Sequence, residues 1–199
     1  GAQPLVQASL RSTIGKTYQA LGLYPDAEKQ LREAYRLKRE LLGPSHGEVA
    51  ESLCDLATVL SSTNQLAEAS SDLETAVAIF RGAGDMQRLA AALSSLGAVR
   101  RALGDLDQAE SRQREALALR RSTSGEDSLD VAESLNNLAG VLGARGRLEE
   151  VLPLLEDALR IRSRDLGESH PLVAQSIDNL ALVLYRKGDV VRAEALFRR

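Results

Sequence analysis

Apolar residues recur along this chain at intervals of three and four. Leu53, Leu56, Ala57 and Leu60 stand at i, i+3, i+4 and i+7, the spacing of one helix face. Ala27, Leu31, Ala34 and Leu37 mark a second helix, predicted over about 25–42. Its small alanines let two helices approach closely. Whole phrases return as well: VAESLCDLA at 49–57 reappears as VAESLNNLA at 131–139, with seven of nine letters kept.

The register of this phrase runs through the chain. Ile14, Leu56, Leu96, Leu138 and Leu180 are 42, 40, 42 and 42 residues apart. A small residue follows each one: Gly15, Ala57, Gly97, Ala139 and Ala181. Eight positions past the anchor stand Gly22, Asn64, Gly104, Gly146 and Gly188. A helix stop there needs the left-handed conformation, which Gly adopts freely and Asn next best. The chain therefore reads as five repeats of two helices each, over 5–46, 47–86, 87–128, 129–170 and 171–199, the last cut short inside its second helix.

Three of the links between repeats share wording: LGPSHGEVA, SGEDSLDVA and LGESHPLVA. Gly43, Gly125 and Gly167 are expected to end a second helix. Ser45 with Glu48, and Asp127 with Asp130, have the spacing of an N-cap and its N3 partner. Pro171 suits a first turn. The link at 81–88 is two residues shorter and lacks this wording.

One helix pair cannot bury both faces of its apolar surface, so repeats must stack on their neighbours. The predicted fold is all-α: a solenoid, or α-α superhelix, of helix-turn-helix repeats in a single array over 1–199. In the short last repeat, Leu180, Leu184, Ala193, Leu196 and Phe197 are expected to lack most of a partner. The chain thus reads as a fragment of a longer array whose exposed C-terminal end self-associates.

The small residue after the first-helix leucine, the Gly-x-Tyr/Leu turn and the alanines spaced by seven resemble the tetratricopeptide repeat, which is ordinarily about 34 residues long. Repeats of 42 residues carry roughly two further helical turns. The wording LG, HP and VA leading into SLNNLA is similar to the repeats of kinesin light chains and their bacterial relatives. The stretch QPLVQASLRSTIGKTYQALGLYPDAEKQLREA also resembles the repeat tail of some bacterial receptor-like serine/threonine kinases. These resemblances imply a scaffold for a protein or peptide partner, or alternatively a regulatory or oligomerisation tail of a bacterial signalling kinase.

Composition adds exclusions. The chain has 199 residues, 44% hydrophobic, and a formal net charge of −3. That apolar content supports a sizeable core, and the charge argues against a nucleic-acid partner held by bulk electrostatics. No run approaches the roughly 20 apolar residues of a membrane span, so no membrane contact is expected. No basic segment leads into an apolar stretch at the start, where Gly1 reads as a leftover of cloning. The single cysteine, Cys54, forms no internal disulfide and suits a reducing compartment, read here as the cytoplasm. Aromatic residues make up 3% with no Trp, so Ala and Leu must do the packing.

No catalytic, cofactor or metal constellation is expected. His46 and His170 each stand three residues after a linker glycine and read as linker or helix-entry residues, since a metal site needs clustered ligands. Cys54 lacks a neighbouring base and orienter in the pattern. GARGRLEE at 143–150 lacks the spacing and lysine of a phosphate loop. The arginine pairs at 100–101, 120–121 and 198–199 read as solvated helix surface.

The face of each first helix opposite its buried stripe is the candidate binding surface. It carries Lys16 with Ser9, Thr13 and Ala20, then Glu51, Asp55, Thr58 and Ser62, then Ser95 with Ala91, Ala98 and Ala102. Further along come Glu133 and Asn137 with Gly140 and Ala144, then Gln175, Asn179, Leu182 and Arg186. This face varies between repeats where the buried stripe does not. Asn137 and Asn179 match the second Asn of the family's SLNNLA frame, whose amide holds the backbone of an extended peptide by donating and accepting. The small apolar middle beside Glu51, Asp55 and Glu133 fits a neutral or basic segment with one or two apolar anchors. Lys16 and Arg186 do not reproduce the basic set with which chaperone-binding relatives clamp a carboxylate.

Overall fold

The computed structural model describes residues 2–198; Gly1 and Arg199, the second half of the last arginine pair, lie outside them. The described residues form ten α-helices and no strand. The first compact unit, Gly1–Gly104, holds α1 (Ala2–Ala20), α2 (Tyr24–Leu42), α3 (Gly47–Ser62), α4 (Leu66–Ala83) and α5 (Met86–Ala102). The second, Asp105–Arg199, holds α6 (Leu106–Ser124), α7 (Leu129–Ala144), α8 (Leu148–Leu166), α9 (Pro171–Arg186) and α10 (Val190–Phe197). In the first unit α1 pairs with α2 and α3 with α4, while α2 rests on α3 and α4 on α5. In the second, α6 rests on α7 and α8 on α9, while α7 pairs with α8 and α9 with α10. None of these helices is long and apolar enough to cross a membrane.

Backbone chemistry sets the boundaries. Asn64 has φ +61°, alone among described non-glycine residues in being positive, and it occupies the register of Gly22, Gly146 and Gly188. This is the left-handed stop that its side-chain chemistry allows. Gly43, Gly125 and Gly167 do end second helices, but with φ +81 to +87° and ψ near 157°, a region essentially restricted to glycine.

The N-caps fall one residue later than the spacing predicts. His46 Nδ1 accepts from the Glu48 N–H at 3.2 Å, His170 Nδ1 from Leu172 N–H at 3.1 Å, and Ser128 Oγ from Val131 N–H at 3.3 Å. Ser45 and Asp127 are therefore not caps; Asp127 instead binds Arg160 at 2.9 Å. Of the two readings of the histidines, linker or helix entry, the structure has the second: an imidazole nitrogen satisfies an orphan N–H. The short link replaces this device with Gly84, left-handed, and Asp85, which accepts from Arg88 N–H at 3.0 Å. The Gly188–Asp189 turn inside the last hairpin has the same form, Asp189 accepting from Arg192 N–H at 3.2 Å.

The core is Leu and Ala, as composition requires. Leu53, Leu56, Ala57 and Leu60 of α3 are buried, with Ala27, Leu31 and Ala34 of α2 packed at the neighbouring level. A Cβ added at Gly15 would lie 2.7 Å from Leu31 Cγ, so in the first repeat this position is closed even to alanine.

A buried pair of positions, not foreseen from the pattern, joins each second helix to the next first helix, and it is polar at three of the four seams. In the repeat register Lys38, Phe80, Arg120 and Arg162 are equivalent, and so are Ser52, Ala92, Ser134 and Ser176. All eight are buried. Arg120 Nη1 donates to Ser134 Oγ and to Asp130 O, each at 3.0 Å. Arg162 Nη1 donates to Ser176 Oγ at 2.8 Å and to Leu172 O at 3.2 Å. The hydroxyl of Ser176 in turn donates to Leu172 O at 3.0 Å. Lys38 makes its bridge to Glu48, the residue whose carbonyl accepts from Ser52. Where the basic residue becomes Phe80, the serine becomes Ala92, so a polar pair is exchanged for an apolar one as a set. Arg120 is thus not solvated surface: its stem and head are buried because the acceptors meet it there.

Two expectations about the ends are corrected. Ile14, read as a buried anchor, is 44% exposed, whereas Leu56, Leu96, Leu138 and Leu180 are 2–4% exposed. The reason is that α1 has no second helix resting on it among the described residues. At the other end Leu180, Leu184 and Ala193 are buried between α8, α9 and α10, and Leu196 is partly buried. Of the five residues expected to lack a partner only Phe197 is exposed, and it is joined by Leu182, Tyr185, Val190 and Val191.

Arg162→Phe alone would leave polar groups in a buried seam without their donor. It should lower unfolding stability by about 1–3 kcal/mol. Adding Ser176→Ala recreates the Phe80–Ala92 set and should recover most of that loss. Urea denaturation of the double-mutant cycle tests it; simply additive losses would show that the two positions are not coupled.

Candidate functional site

The ten residues singled out from the pattern all lie on first helices, and all are half-buried or exposed. In the first unit, Lys16 on α1 bridges to Asp55 on α3 at 2.8 Å. Glu51 on α3 bridges to Arg88, in the first turn of α5, at 2.8 Å. The charges of this face are therefore spent sideways, between adjacent first helices. What remains facing outward is hydroxyl and small apolar surface. Thr58 Oγ1 donates to its own helix at Cys54 O, 3.0 Å away, and Ser95 is exposed.

A cleft of about 280 Å³ opens between α3, α4 and α5. It brings Thr58 and Ser95 together, as the face assignment expects, with Ala98 and Ala102 beside them. Its base is Ala57, Leu66, Leu73 and Val99, and Cys54 and Ser61 complete the wall. Single-helix periodicity cannot show Leu66 and Leu73, because they belong to α4 and enter the cleft only through packing. The volume is near the lower end of the roughly 300–1,000 Å³ of ligand pockets, which suits one or two side chains.

The electrostatics at this cleft are acidic. Burial pushes the Cys54 thiol up to about 12, with the carboxylates of Asp55, Glu51 and Asp72 adding to the effect. Asp72 on α4 is raised to about 6, first by burial and then by the Glu68 charge, with Arg32 opposing. Its Oδ2 is buried without a hydrogen-bond partner.

In the second unit, Glu133 and Asn137 lie on α7, and Gln175, Asn179 and Arg186 on α9. Glu133 is drawn toward the buried pair, its Oε2 being 3.4 Å from Arg120 Nη1. Gln175 approaches Arg162 in the same way, at 3.5 Å. Asn179 Nδ2 donates to Asn136 Oδ1 at 3.3 Å, and Asn136 donates to Ala132 O at 3.0 Å. Asn179 thus meets Asn136, the neighbour of its half-buried register mate Asn137. Beside Asn179 the outer side of α9 exposes Leu182 at 54% and Tyr185 at 61%. Tyr185 was missed because its equivalents Ser61, Arg101 and Gly143 share no chemistry. A wider opening of about 530 Å³ lies among Leu159, Ser163, Leu180 and Leu196 and is bounded mainly by second helices, so it belongs to a different surface.

Two measurements check these assignments. Cys54 holds about a thousandfold less thiolate than an ordinary thiol near 9, so alkylation at pH 8 should be slower by about that factor in the folded chain than in urea. Native labelling at the unfolded rate would refute the burial. Asp72 titrates near 3.8 when unfolded and near 6 when folded, so the native state holds the proton more tightly. Its contribution to stability is full below pH 3.8 and is lost as pH rises through about 6. Asp72→Asn should therefore raise the melting temperature at pH 7.5 and leave it unchanged at pH 3.5. Equal shifts at both values would contradict the assignment.

The arrangement of helix pairs has relatives. The family model for the tetratricopeptide repeat matches residues 6–82, 88–164 and 130–199. Among solved structures, the nearly identical TPR-like repeats assigned to a kinesin light chain of Podosopora anserina are 23% identical with a TM-score of 0.84, over 98% of this chain and 92% of that one. BtubC (BKLC) from P. vanneervenii is 24% identical with a TM-score of 0.84, over 98% of this chain and 78% of that one. The Rap conjugation gene regulator of plasmid pLS20, in complex with the Phr* peptide, is 18% identical with a TM-score of 0.77, over 98% of this chain but 53% of that one. No curated protein matches the chain in sequence. With three matches that together span nearly all of its length, the chain belongs to the tetratricopeptide repeat family.

Proposed function

We propose that this chain is a non-catalytic interaction scaffold whose first-helix faces hold an extended peptide segment of a protein partner. The observation that carries this reading is the cleft between α3, α4 and α5: apolar at its base, hydroxyl-lined at its mouth and acidic around it. An aliphatic side chain of the peptide fills the base, displacing water from Ala57, Leu73 and Val99. Thr58 and Ser95 offer hydroxyls to the peptide backbone at the mouth. A neutral or basic segment is favoured over an acidic one, because Asp72 lies beside the thiol with no hydrogen-bond partner at Oδ2, and Asp55 and Glu51, though paired with Lys16 and Arg88, stand there too. In the second unit, the amides of Asn136 and Asn179 suit a peptide backbone, and Leu182 and Tyr185 offer a platform for a second apolar group. The Rap regulator in complex with its Phr* peptide supports the reading by analogy, as a protein of the same fold that takes a peptide.

Panning a library of random 12-residue peptides against the folded chain tests the proposal. Enriched peptides should carry net positive charge and an aliphatic or aromatic residue, and bind at micromolar affinity, about −8 kcal/mol. Ala98→Glu places a bulky charge in the cleft wall and should weaken them at least tenfold without changing the melting temperature. Absence of enrichment, or peptides indifferent to both Ala98→Glu and Asn179→Leu, would overturn the reading.

A further inference from the structure

The cleft of the first unit has a direction. One wall runs from Cys54 to Ser61 on α3 and the other from Ser95 to Ala102 on α5, each helix entering at i, i+3, i+4 and i+7. It is therefore a furrow along two helices, about 10 Å long at 1.5 Å per residue. An extended segment seated in it follows that axis. The furrow ends at the turns, with Leu66 and Ala102 in its lining, and the residue after each carries apolar surface outward. Ala67 is exposed, and Leu103 is 44% exposed.

The register shows what these two residues replace. Thr63, Leu103, Arg145 and Lys187 are equivalent, and so are Pro25, Ala67, Asp107 and Glu149. Arg145 bridges to Asp107, and Lys187 bridges to Glu149 at 2.7 Å. Thr63 donates to Val59 O and Leu60 O. Where α4 meets α5, both members of the ion pair are apolar instead. Turn geometry does not demand the change, because φ is −74° at Leu103, −84° at Arg145 and −81° at Lys187. Core packing does not demand it either, since the leucine is largely in solvent. An ion pair here would set charge across the outer end of the furrow, whereas leucine and alanine leave that end open to an apolar group.

Resting on the peptide reading above, we propose that the furrow takes the partner's segment lengthwise and reads two apolar side chains two residues apart. The inner one sits on Ala57, Leu73 and Val99, and the outer one on Leu103. The spacing follows from geometry. Val99 and Leu103 are four residues apart on α5, about 6 Å. In an extended chain residues i and i+2 are about 6.6 Å apart and point the same way, while i+1 points to the opposite side. Asp55 adjoins Cys54 at the inner end, so the basic residue of the segment belongs beside the inner anchor.

Two synthetic peptides of one composition test the spacing. GSKLTLSG holds its leucines two residues apart, and GSKLLTSG holds them side by side. Binding to the folded, isotope-labelled chain would be followed by amide chemical shifts. GSKLTLSG should bind at least tenfold more tightly and shift the amides from Val99 to Leu103. Ala67→Asp with Leu103→Arg installs the pair found at Asp107 and Arg145. It should abolish the preference, leaving both peptides at the weaker affinity with the melting temperature unchanged. Leu103→Thr, which copies Thr63, should do the same. Equal affinities in the unaltered chain, with shifts confined to the cleft, would overturn the two-anchor spacing and leave the peptide reading standing. No binding by either peptide would overturn both. A preference that survives in either variant would overturn the role of Leu103.

Discussion

Everything else in this molecule depends on the seating of each second helix upon the first helix of the next repeat. A helix pair alone leaves half its apolar surface wet. The seam that removes that surface from water is mostly leucine and alanine, and hydrophobic burial is its driving force. Its least tolerant point is the buried position occupied in turn by Lys38, Phe80, Arg120 and Arg162. A guanidinium there is costly unless every donor finds an acceptor, and burial does pull Arg162 below its ordinary pKa. The serine and the carbonyl four residues before it supply those acceptors. Phe80 with Ala92 shows the other self-consistent solution, and it occurs where the link is two residues shorter.

The same seating decides what stays open. Because buried stripes occupy two sides of α3, α5, α7 and α9, one side of each is left for contacts. The ion pairs Lys16–Asp55 and Glu51–Arg88 cross between neighbouring first helices along that side. Exposed pairs of this kind contribute little to stability. They hold those charges at the edge of the face, so that its middle is left with hydroxyls, amides and small apolar groups. Such a surface suits an extended segment read through its backbone and one or two anchors, and Cys54, held as a neutral thiol, contributes packing rather than reactivity.

The first-helix anchors show how far periodicity reaches. Leu56, Leu96, Leu138 and Leu180 were legible from spacing alone, and so were the left-handed stop at Asn64 and the glycines that end second helices. Ile14 sat in the same register yet is exposed, because register describes a position and not whether a neighbour covers it. The helix-start signal was misplaced by one residue at Ser45 and Asp127. Capping depends on which side chain turns back to an orphan N–H, and His46 and Ser128 reach it. Arg120 looked like surface because it belongs to one of several scattered arginine pairs without interleaved aromatics, and only the fold reveals the serine opposite.

By itself, then, the sequence determined the helices, their order, the repeat length and the face each first helix presents, since all of these follow from local backbone preference and the 3.6-residue period. The tertiary structure alone decided the cleft at Thr58 and Ser95, the sideways pairing of Lys16 and Glu51, the meeting of Asn179 with Asn136, and the arginine–serine fastening. Each of these joins side chains from different helices. Their distance is set by how two packed surfaces interlock, and no one-dimensional pattern contains that quantity.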